Sequence, residues 1–346
     1  MKIDLINKIK DIIGNQNTDE REILFQLRGV LNEIELQNHI VKESKSIACL
    51  VSENLTQFHE EAHQNSTIKT GFAEFDKLFG GFRLGELIVI GGRPSMGKTQ
   101  LLVNLALNIS TETPILYFTF DLSEFLLCSR FISSLYGIAV NKILQHELTE
   151  EQKNELASAE NKFSKHKIFV NDSCNNSFTA MKAQCLKQIE ENGVKVIVVD
   201  YLQMMSSNKY RNNRELEISH ISRELKNIAK DFNVCVIVTS QLSRAVETRG
   251  GAKRPILSDL RESGAIEQDA DKIIFIYRPE YYNIDCDENG NTAGLTEIIL
   301  AKNRNGSIGT VKLSRDANFT NFRDFDEYKT NFSFSKSRLD EIDTPF

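Results

Sequence analysis

The stretch Gly92-Arg-Pro-Ser-Met-Gly-Lys-Thr99 decides how this sequence is interpreted. It matches the pattern G-x-x-x-x-G-K-[ST], and it lies between an apolar run typical of a strand and a segment with helical periodicity. Glycines let the backbone turn its N–H groups toward phosphates, and the following helix adds the positive end of its dipole. The sequence therefore predicts a phosphate-binding P-loop. The predicted nucleotide-binding residues are Gly92, Arg93, Pro94, Ser95, Met96, Gly97, Lys98, Thr99 and Gln100.

Two side chains of this loop carry specific chemistry. Lys98 is expected to reach the β- and γ-phosphates and to act in catalysis, and the Thr99 hydroxyl is expected to ligate Mg²⁺. ATP and Mg²⁺ are therefore the predicted cofactors. The alternative is a glycine turn that holds no ligand, which the flanking strand and helix patterns disfavour.

Apolar runs alternate with helical patterns from about residue 66 onward. The predicted strands cover residues 86–91, 114–120, 167–170, 194–199, 234–239, 272–277 and 296–301, and the helices cover residues 99–109, 123–136, 149–163, 179–192 and 215–232. Runs of nearly continuous apolarity are typical of strands buried on both faces of a parallel sheet. The sequence thus predicts an α/β fold with a mostly parallel sheet, and a hairpin around residues 303–309 at one sheet edge.

Polar residues follow several of these runs, where ligands of open parallel sheets bind. Asp200 is a Walker B-type carboxylate placed to hold Mg²⁺, and Asp121 is a candidate general base for the attacking water. Gln241 is placed to sense the γ-phosphate. Lys302 and Arg304 are predicted to face the nucleotide of their own subunit or of a neighbouring one. Each alone is more simply a solvated strand end, but their joint placement around a P-loop favours a site.

Composition restricts the class of protein around this site. A chain of 346 residues that is 40% hydrophobic and 26% charged is typical of a globular protein of about two domains. The six cysteines are dispersed and favour neither a disulfide framework nor a zinc site. A net charge of −6 argues against a uniformly basic nucleic-acid surface, although it allows a local basic patch. Without a long apolar segment or a signal peptide, the protein is expected to be cytoplasmic and to have no membrane partner.

Three parts are predicted along the chain. Residues 1–65 show helical periodicity at residues 2–13, 18–37 and 44–62, and they carry more acidic than basic side chains. They form a small helical N-terminal arm or linker, for which a solvated cap without chemistry is the simplest interpretation. Residues 66–320 form the P-loop domain, and residues 321–346 form a C-terminal tail.

The sequence resembles the hexameric replicative DNA helicases of the DnaB type, whose motor is a RecA-like domain. Besides the P-loop, the matching stretches are Ile68-Lys-Thr-Gly-Phe-Ala-Glu-Phe-Asp, Val-Asp200-Tyr-Leu-Gln-Met-Met, Ser240-Gln-Leu-Ser-Arg-Ala-Val-Glu, Leu-Ser-Asp-Leu-Arg261-Glu-Ser-Gly-Ala-Ile-Glu-Gln-Asp-Ala-Asp271 and Ala301-Lys-Asn-Arg-Asn-Gly-Ser-Ile-Gly-Thr. The resemblance covers about residues 66–315. It implies a RecA-like P-loop NTPase core in an ATP-hydrolysing, ring-forming DNA helicase that translocates on single-stranded DNA and unwinds duplex in replication.

The resemblance also implies roles for individual residues and for partners. Lys302 and Arg304 match a finger that acts in trans on a neighbour's nucleotide, and Gln241 couples the nucleotide state to DNA. The loop that grips single-stranded DNA in the ring's channel is matched by Arg261, Glu262 and Gly264. The implied partners are single-stranded DNA, further copies of the chain in a hexameric ring, and a helicase loader or other replisome proteins.

Two departures from the family pattern bear on function. Where the family usually has a catalytic Glu, this sequence has Asp121, one methylene shorter, so slower hydrolysis or assistance from Glu124 is expected. About 65 residues precede the motor where the family has a larger helical domain that meets primase. Partnership with primase therefore stays open, and a phage, plasmid or other mobile-element role becomes an alternative to a chromosomal one.

Two other functions stay open alongside the helicase. One is a RecA-like DNA-dependent ATPase of recombination or repair, and the other is a non-motor ATP-binding switch. The chain ends in Leu339-Asp-Glu-Ile-Asp-Thr-Pro-Phe346, which is similar to the tip by which bacterial single-stranded DNA-binding proteins dock on partners. A merely solubilising acidic tail is the simpler interpretation of that segment.

Overall fold

The computed structural model describes residues 44–59, 67–172, 176–207, 210, 212–260, 264–284, 286–287 and 290–325. The chain divides into two compact units, Met1–His63 and Gln64–Phe346. The helices predicted over residues 2–13 and 18–37, the tail after residue 325, and both Arg261 and Glu262 lie outside the described residues.

In the first unit the described residues form a helix, α1 (Ile47–His59), which confirms a helix within the predicted range 44–62. Its side chains Ile47, Leu50, Val51 and Leu55 follow the spacing of one helical face, and all four are exposed.

Among the described residues of the second unit, the strands form a nine-stranded sheet and two small antiparallel pairs. The strands are β1 (Thr67–Ile68), β2 (Phe82–Arg83), β3 (Leu87–Gly92), β4 (Ile115–Thr119), β5 (Ile168–Asn171), β6 (Val196–Asp200), β7 (Cys235–Gln241), β8 (Lys272–Tyr277), β9 (Cys286–Asp287), β10 (Gly290–Asn291), β11 (Leu295–Asn303), β12 (Gly309–Arg315) and β13 (Phe322–Asp324). The strand order in the large sheet is β13-β12-β11-β8-β3-β7-β6-β4-β5. The strands from β8 to β5 in that order run parallel, whereas β11, β12 and β13 form an antiparallel extension.

Helices cover both faces of this sheet. The helices of the second unit are α2 (Ala73–Phe79), α3 (Lys98–Ser110), α4 (Glu124–Tyr136), α5 (Val140–Leu144), α6 (Glu150–Leu156), α7 (Ala159–Phe163), α8 (Phe178–Asn192), α9 (Arg214–Asp231), α10 (Ala245–Thr248) and α11 (Gly264–Asp269). Short 3-10 turns occupy Leu202–Met204, Leu257–Asp259 and Pro279–Tyr282. Among the described residues, no helix is both long and apolar enough to cross a bilayer.

The central strand β3 shows why the predicted runs are apolar at nearly every position. Ile88 and Ile90 belong to the core that contains α3, whereas Leu87 and Val89 belong to the core on the opposite face with α9. Successive side chains of a strand point to opposite faces, so a strand covered on both sides needs apolar residues throughout. The predicted mostly parallel α/β fold is confirmed.

Two local features differ from the sequence prediction. The helix predicted over residues 149–163 is divided into α6 and α7, although its capping box of Thr149 and Gln152 is present. The Ser158 hydroxyl donates to the carbonyl of Glu155 at 2.8 Å, a local bond that competes with continued helix. The hairpin of β11 and β12 is confirmed, but β13 pairs outside it and forms the sheet edge.

Candidate nucleotide-binding site

The P-loop joins the end of β3 to the start of α3. Gly97 precedes the helix with a φ of 98°, in the left-handed region that favours glycine. A Cβ atom at this position would lie 3.0 Å from the ring of Phe319. The glycine therefore provides both the turn and the close approach that the loop needs.

An open cleft of about 510 Å³ lies beside this loop, within the size range of small-molecule sites. The residues that line it are Pro94, Ser95, Gly97, Lys98, Thr99, Gln100, Asp121, Arg130, Asp200, Tyr201, Gln241 and Phe319. The structure thus brings together the P-loop and the polar residues at or just after the ends of β4, β6 and β7.

The Lys98 ammonium is held against the loop itself. Its Nζ donates to the carbonyl oxygens of Gly92 at 2.8 Å and Arg93 at 3.0 Å. Burial lowers the pKa of Lys98 to about 8, partly offset by the nearby carboxylates of Asp200 and Asp121. A phosphate in the cleft would offer this ammonium a full negative charge in place of two carbonyl dipoles.

Thr99 and Asp200 meet at the base of the cleft. The Thr99 hydroxyl donates to Oδ2 of Asp200 at 2.7 Å, and the Thr239 hydroxyl donates to Oδ1 at 2.5 Å. Burial raises the pKa of Asp200, whereas these hydrogen bonds and the Lys98 charge favour its ionised form. A hydroxyl and a carboxylate are hard oxygen ligands, so the pair fits a Mg²⁺ ion completed by water and phosphate oxygens.

Asp121 is positioned by the turn after β4. The N–H of Phe120 donates to the carbonyl of Asp200 at 2.9 Å, which fixes the backbone just before Asp121. The exposed Asp121 lines the cleft, whereas Glu124 lines a separate cavity with Phe125. The structure therefore brings Asp121, and not Glu124, to the P-loop.

Gln241 ends β7 directly beside the end of β3, since it pairs in register with Gly92. Its backbone N–H donates to Oε1 of Gln203 at 3.1 Å, and the Gln203 amide donates to the Ser240 hydroxyl at 2.9 Å. The first of these bonds uses the main chain of Gln241, and Gln241 lines the cleft.

The remaining P-loop side chains differ in where they point. Pro94 and Ser95 line the cleft, whereas Met96 is buried in the core below α3. The Gln100 amide donates to the carbonyl of Thr320 at 2.5 Å, which ties the start of α3 to the segment before β13. The buried Arg93 side chain forms an ion pair with Glu247 on α10.

Sequence analysis left open whether Lys302 and Arg304 face the nucleotide of their own subunit or of a neighbouring one, and within one subunit they lie at the sheet edge opposite the P-loop. β11 runs antiparallel to β8, so its carboxyl end lies at the edge where the parallel strands begin. The Arg304 N–H donates to the carbonyl of Asp271, whose own N–H donates to Leu87, the first residue of β3. Leu87 and Gly92 are five residue steps apart along β3, which places Arg304 about 16 Å from the P-loop along the strand direction.

Both cations are held at that far edge by α11 and the turn after it. Lys302 Nζ donates to the carbonyls of Glu267 at 2.5 Å and Ala270 at 2.7 Å. Arg304 donates to the carbonyl of Gln268 at 2.8 Å and forms an ion pair with Asp271 at 3.2 Å. Within one subunit they therefore do not face the cleft. Gly264, predicted to contact DNA, begins α11.

Sequence reasoning missed Arg130, Tyr201 and Phe319 as cleft residues. Phe319 lies in the turn between β12 and β13, and its ring is covered by the guanidinium groups of Arg278 at 4.4 Å and Arg315 at 4.7 Å. The contact between this turn and the P-loop brings the ring to the cleft, and no local sequence motif indicates that contact. Tyr201 follows the predicted metal ligand Asp200 directly, so its position alone could have indicated it.

The P-loop follows the central strand of a parallel sheet, and its threonine is hydrogen-bonded to a carboxylate at the end of the second strand away. These features define a P-loop nucleotide-binding domain of the α/β class. Residues 67–324 match the family described as DnaB-like helicase C terminal domain. The chain belongs to this family, which confirms the resemblance found in the sequence and its RecA-like core.

Individual relatives agree with the family assignment. A probable replicative DNA helicase of Trieres chinensis is 44% identical over 262 residues, 75% of this chain and 57% of that protein. The replicative DNA helicase DnaB of Geobacillus stearothermophilus is 37% identical over 324 residues, 91% of this chain and 70% of that protein. The chain thus spans between 57% and 70% of the length of these two relatives.

A solved structure extends the comparison to the fold. A DnaB-like replicative helicase, determined together with its interactions with primase, superimposes with a TM-score of 0.77 at 30% identity. The match covers 94% of this chain and 76% of that chain.

Proposed function

We propose that this chain is the motor of an ATP-driven replicative DNA helicase that forms a ring and translocates on single-stranded DNA. The observation that carries the proposal is the cleft in which Lys98, the Thr99–Asp200 pair and Gln241 converge, in a chain of the DnaB-like family. Relatives named replicative DNA helicase support the replication role.

Each cleft residue has a role in the proposed reaction. Lys98 stabilises the charge on the transferring phosphoryl group, and Thr99 and Asp200 hold Mg²⁺. Mg²⁺ supplies charge neutralisation at the phosphates when it is bound. Asp121 orients the attacking water and accepts its proton, and Gln241 responds to the γ-phosphate.

The position of Lys302 and Arg304 supports a ring. Because both lie at the sheet edge away from their own cleft, a contribution to hydrolysis requires that they approach the nucleotide of another copy. We therefore propose that sites are completed between neighbouring subunits, as the trans finger implies. Single-stranded DNA is the proposed polymer in the channel, and a loader or other replisome proteins, with primase to be tested among them, are proposed partners.

The test is ATP turnover with and without single-stranded DNA, using Lys98→Ala as the inactive control. We expect DNA to raise turnover several-fold in the wild type and no turnover in the control. Tight ATP binding without turnover would favour the non-motor switch. DNA-stimulated turnover with strand exchange but without unwinding would favour the recombination ATPase.

A further inference from the structure

Arg93 is a P-loop residue whose side chain leaves the nucleotide cleft. It is buried, with 6% of its surface exposed. Its Nε forms an ion pair with Oε1 of Glu247 at 2.8 Å, and its Nη1 donates to the carbonyl of Leu242 at 2.7 Å. Both partners lie just after Gln241, so the guanidinium joins the P-loop to the segment that follows β7.

That segment is joined in turn to the residues that precede Arg261. Leu242 forms an antiparallel bridge with Leu260, and the Ser243 N–H donates to the carbonyl of Asp259 at 2.8 Å. The Asp259 carboxylate accepts from the Ile256 N–H at 2.7 Å. It also pairs with both terminal nitrogens of the Arg249 guanidinium. Residues 242–249 and 256–260 are thus held together by main-chain bonds and by the Arg249–Asp259 ion pair, and residue 260 directly precedes Arg261.

We propose that Arg93 is a positioning residue that transmits nucleotide binding through Glu247 and Leu242 to residues 256–260, and from there to the loop of Arg261. The inference rests on the proposed function, in which that loop binds single-stranded DNA. Arg93 thereby adds a second connection between the P-loop and that loop, besides the one through Gln241, whose main chain is bonded to Gln203.

The physical basis is that Arg93 forms hydrogen bonds through both its main chain and its side chain. Its carbonyl is one of the two acceptors of the Lys98 ammonium, at 3.0 Å. A bound phosphate competes for that ammonium, so the backbone at Arg93 gains or loses a hydrogen bond with the nucleotide state. Its buried guanidinium resists separation from its acceptors, because an unpaired buried charge is costly. A shift of the backbone at Arg93 is therefore passed to Glu247 and Leu242 rather than absorbed by a loose side chain.

The first arm of the test needs no DNA. Glu247→Gln keeps the side-chain size and removes the charge, and Glu155→Gln, at an exposed position on α6, is the matched control. Hydrogen exchange of peptides within residues 242–260 is measured with and without a Mg²⁺-bound, non-hydrolysable ATP analogue. We expect the analogue to slow exchange in the wild type and in Glu155→Gln, and to have a clearly smaller effect in Glu247→Gln. Arg93→Lys, which keeps the charge but loses the forked geometry, should also respond less.

The second arm measures the coupling itself. The affinity for single-stranded DNA is determined with the ATP analogue and with ADP, and the ratio of the two affinities is compared between variants. Glu247→Gln should reduce this ratio by about fivefold, a typical size for coupling between sites. Its turnover without DNA should stay near the wild-type value. A merely structural role for the ion pair would instead weaken DNA binding equally with both nucleotides and leave the ratio unchanged.

The outcomes separate this inference from the proposed function. If Glu247→Gln retains both the wild-type exchange response and the wild-type affinity ratio, the inference is overturned while the helicase proposal stands. If the wild type binds no single-stranded DNA, the helicase proposal fails, and the exchange measurement alone decides whether Arg93 links the P-loop to residues 256–260.

Discussion

Nucleotide affinity should fall as the pH rises through 8, because the protonated form of Lys98 binds the phosphates. Burial lowers the pKa of this ammonium to about 8 in the free protein. A bound triphosphate replaces the carbonyl acceptors with negative charge and raises the same pKa. The complex therefore holds a proton that the free protein progressively loses above pH 8, so binding takes up a proton and weakens with increasing pH.

The expected size of this loss of affinity follows from the Lys98 pKa of about 8. Lys98 in the free protein is then roughly 90% protonated at pH 7 and roughly 10% at pH 9, which corresponds to about a tenfold loss of affinity over that interval. At pH 8 the binding reaction should take up about half a proton per site. With the ordinary lysine pKa of 10.5, affinity would change by only a few per cent over the same interval.

Calorimetric titration with a non-hydrolysable ATP analogue and Mg²⁺ measures both the affinity and the proton uptake, when it is repeated in buffers of different ionisation enthalpy. Phosphate groups are already ionised above pH 7, so the ligand contributes little to the slope. Lys98→Arg is the matched control, because a guanidinium stays charged over this range and its affinity should be independent of pH. A wild-type affinity that is constant from pH 7 to pH 9, without proton uptake, would refute the assigned contact between Lys98 and phosphate.

Three further predictions concern residues around and beyond the cleft. Asp121→Asn should lower turnover by roughly a hundredfold with little change in ATP affinity, whereas Asp121→Glu should keep or raise turnover. Unaltered steady-state turnover in the Asn variant would mean that another residue is the base. Arg261→Ala should weaken single-stranded DNA binding and reduce the slope of log affinity against log salt by about one, and an unchanged slope would contradict a phosphate contact. Mixing Arg304→Ala subunits with Lys98→Ala subunits should recover part of the ATPase activity at interfaces that carry both intact halves. Activity no greater than that of the separate variants would argue against action in trans.

The sequence predicted the core of the fold because burial on both faces leaves a direct pattern. Strands such as β3 and β6 are apolar at nearly every position, and the P-loop motif marks the end of β3. The direction of β11 leaves no such sequence pattern, since an apolar run is the same in a parallel and in an antiparallel strand. For that reason the sequence alone does not show at which edge of the sheet Lys302 and Arg304 lie.

Contacts between distant segments also escaped prediction. Phe319 reaches the cleft through its contact with Gly97, more than two hundred residues earlier in the chain. Arg93 was expected to bind nucleotide as part of the P-loop motif, but the motif does not record that its side chain pairs with Glu247. Both cases depend on how separate elements pack, which local composition and periodicity do not encode.

Whether this chain is a ring-forming helicase motor is tested by unwinding of a forked DNA duplex, combined with the mass of the protein assembly with and without ATP. We expect strand separation that requires hydrolysable ATP and Mg²⁺ and is lost in Lys98→Ala, from an assembly with the mass of a ring of several subunits. A protein that remains monomeric with ATP and separates no strands, while it hydrolyses ATP normally, would show that the chain is not a helicase motor of this kind.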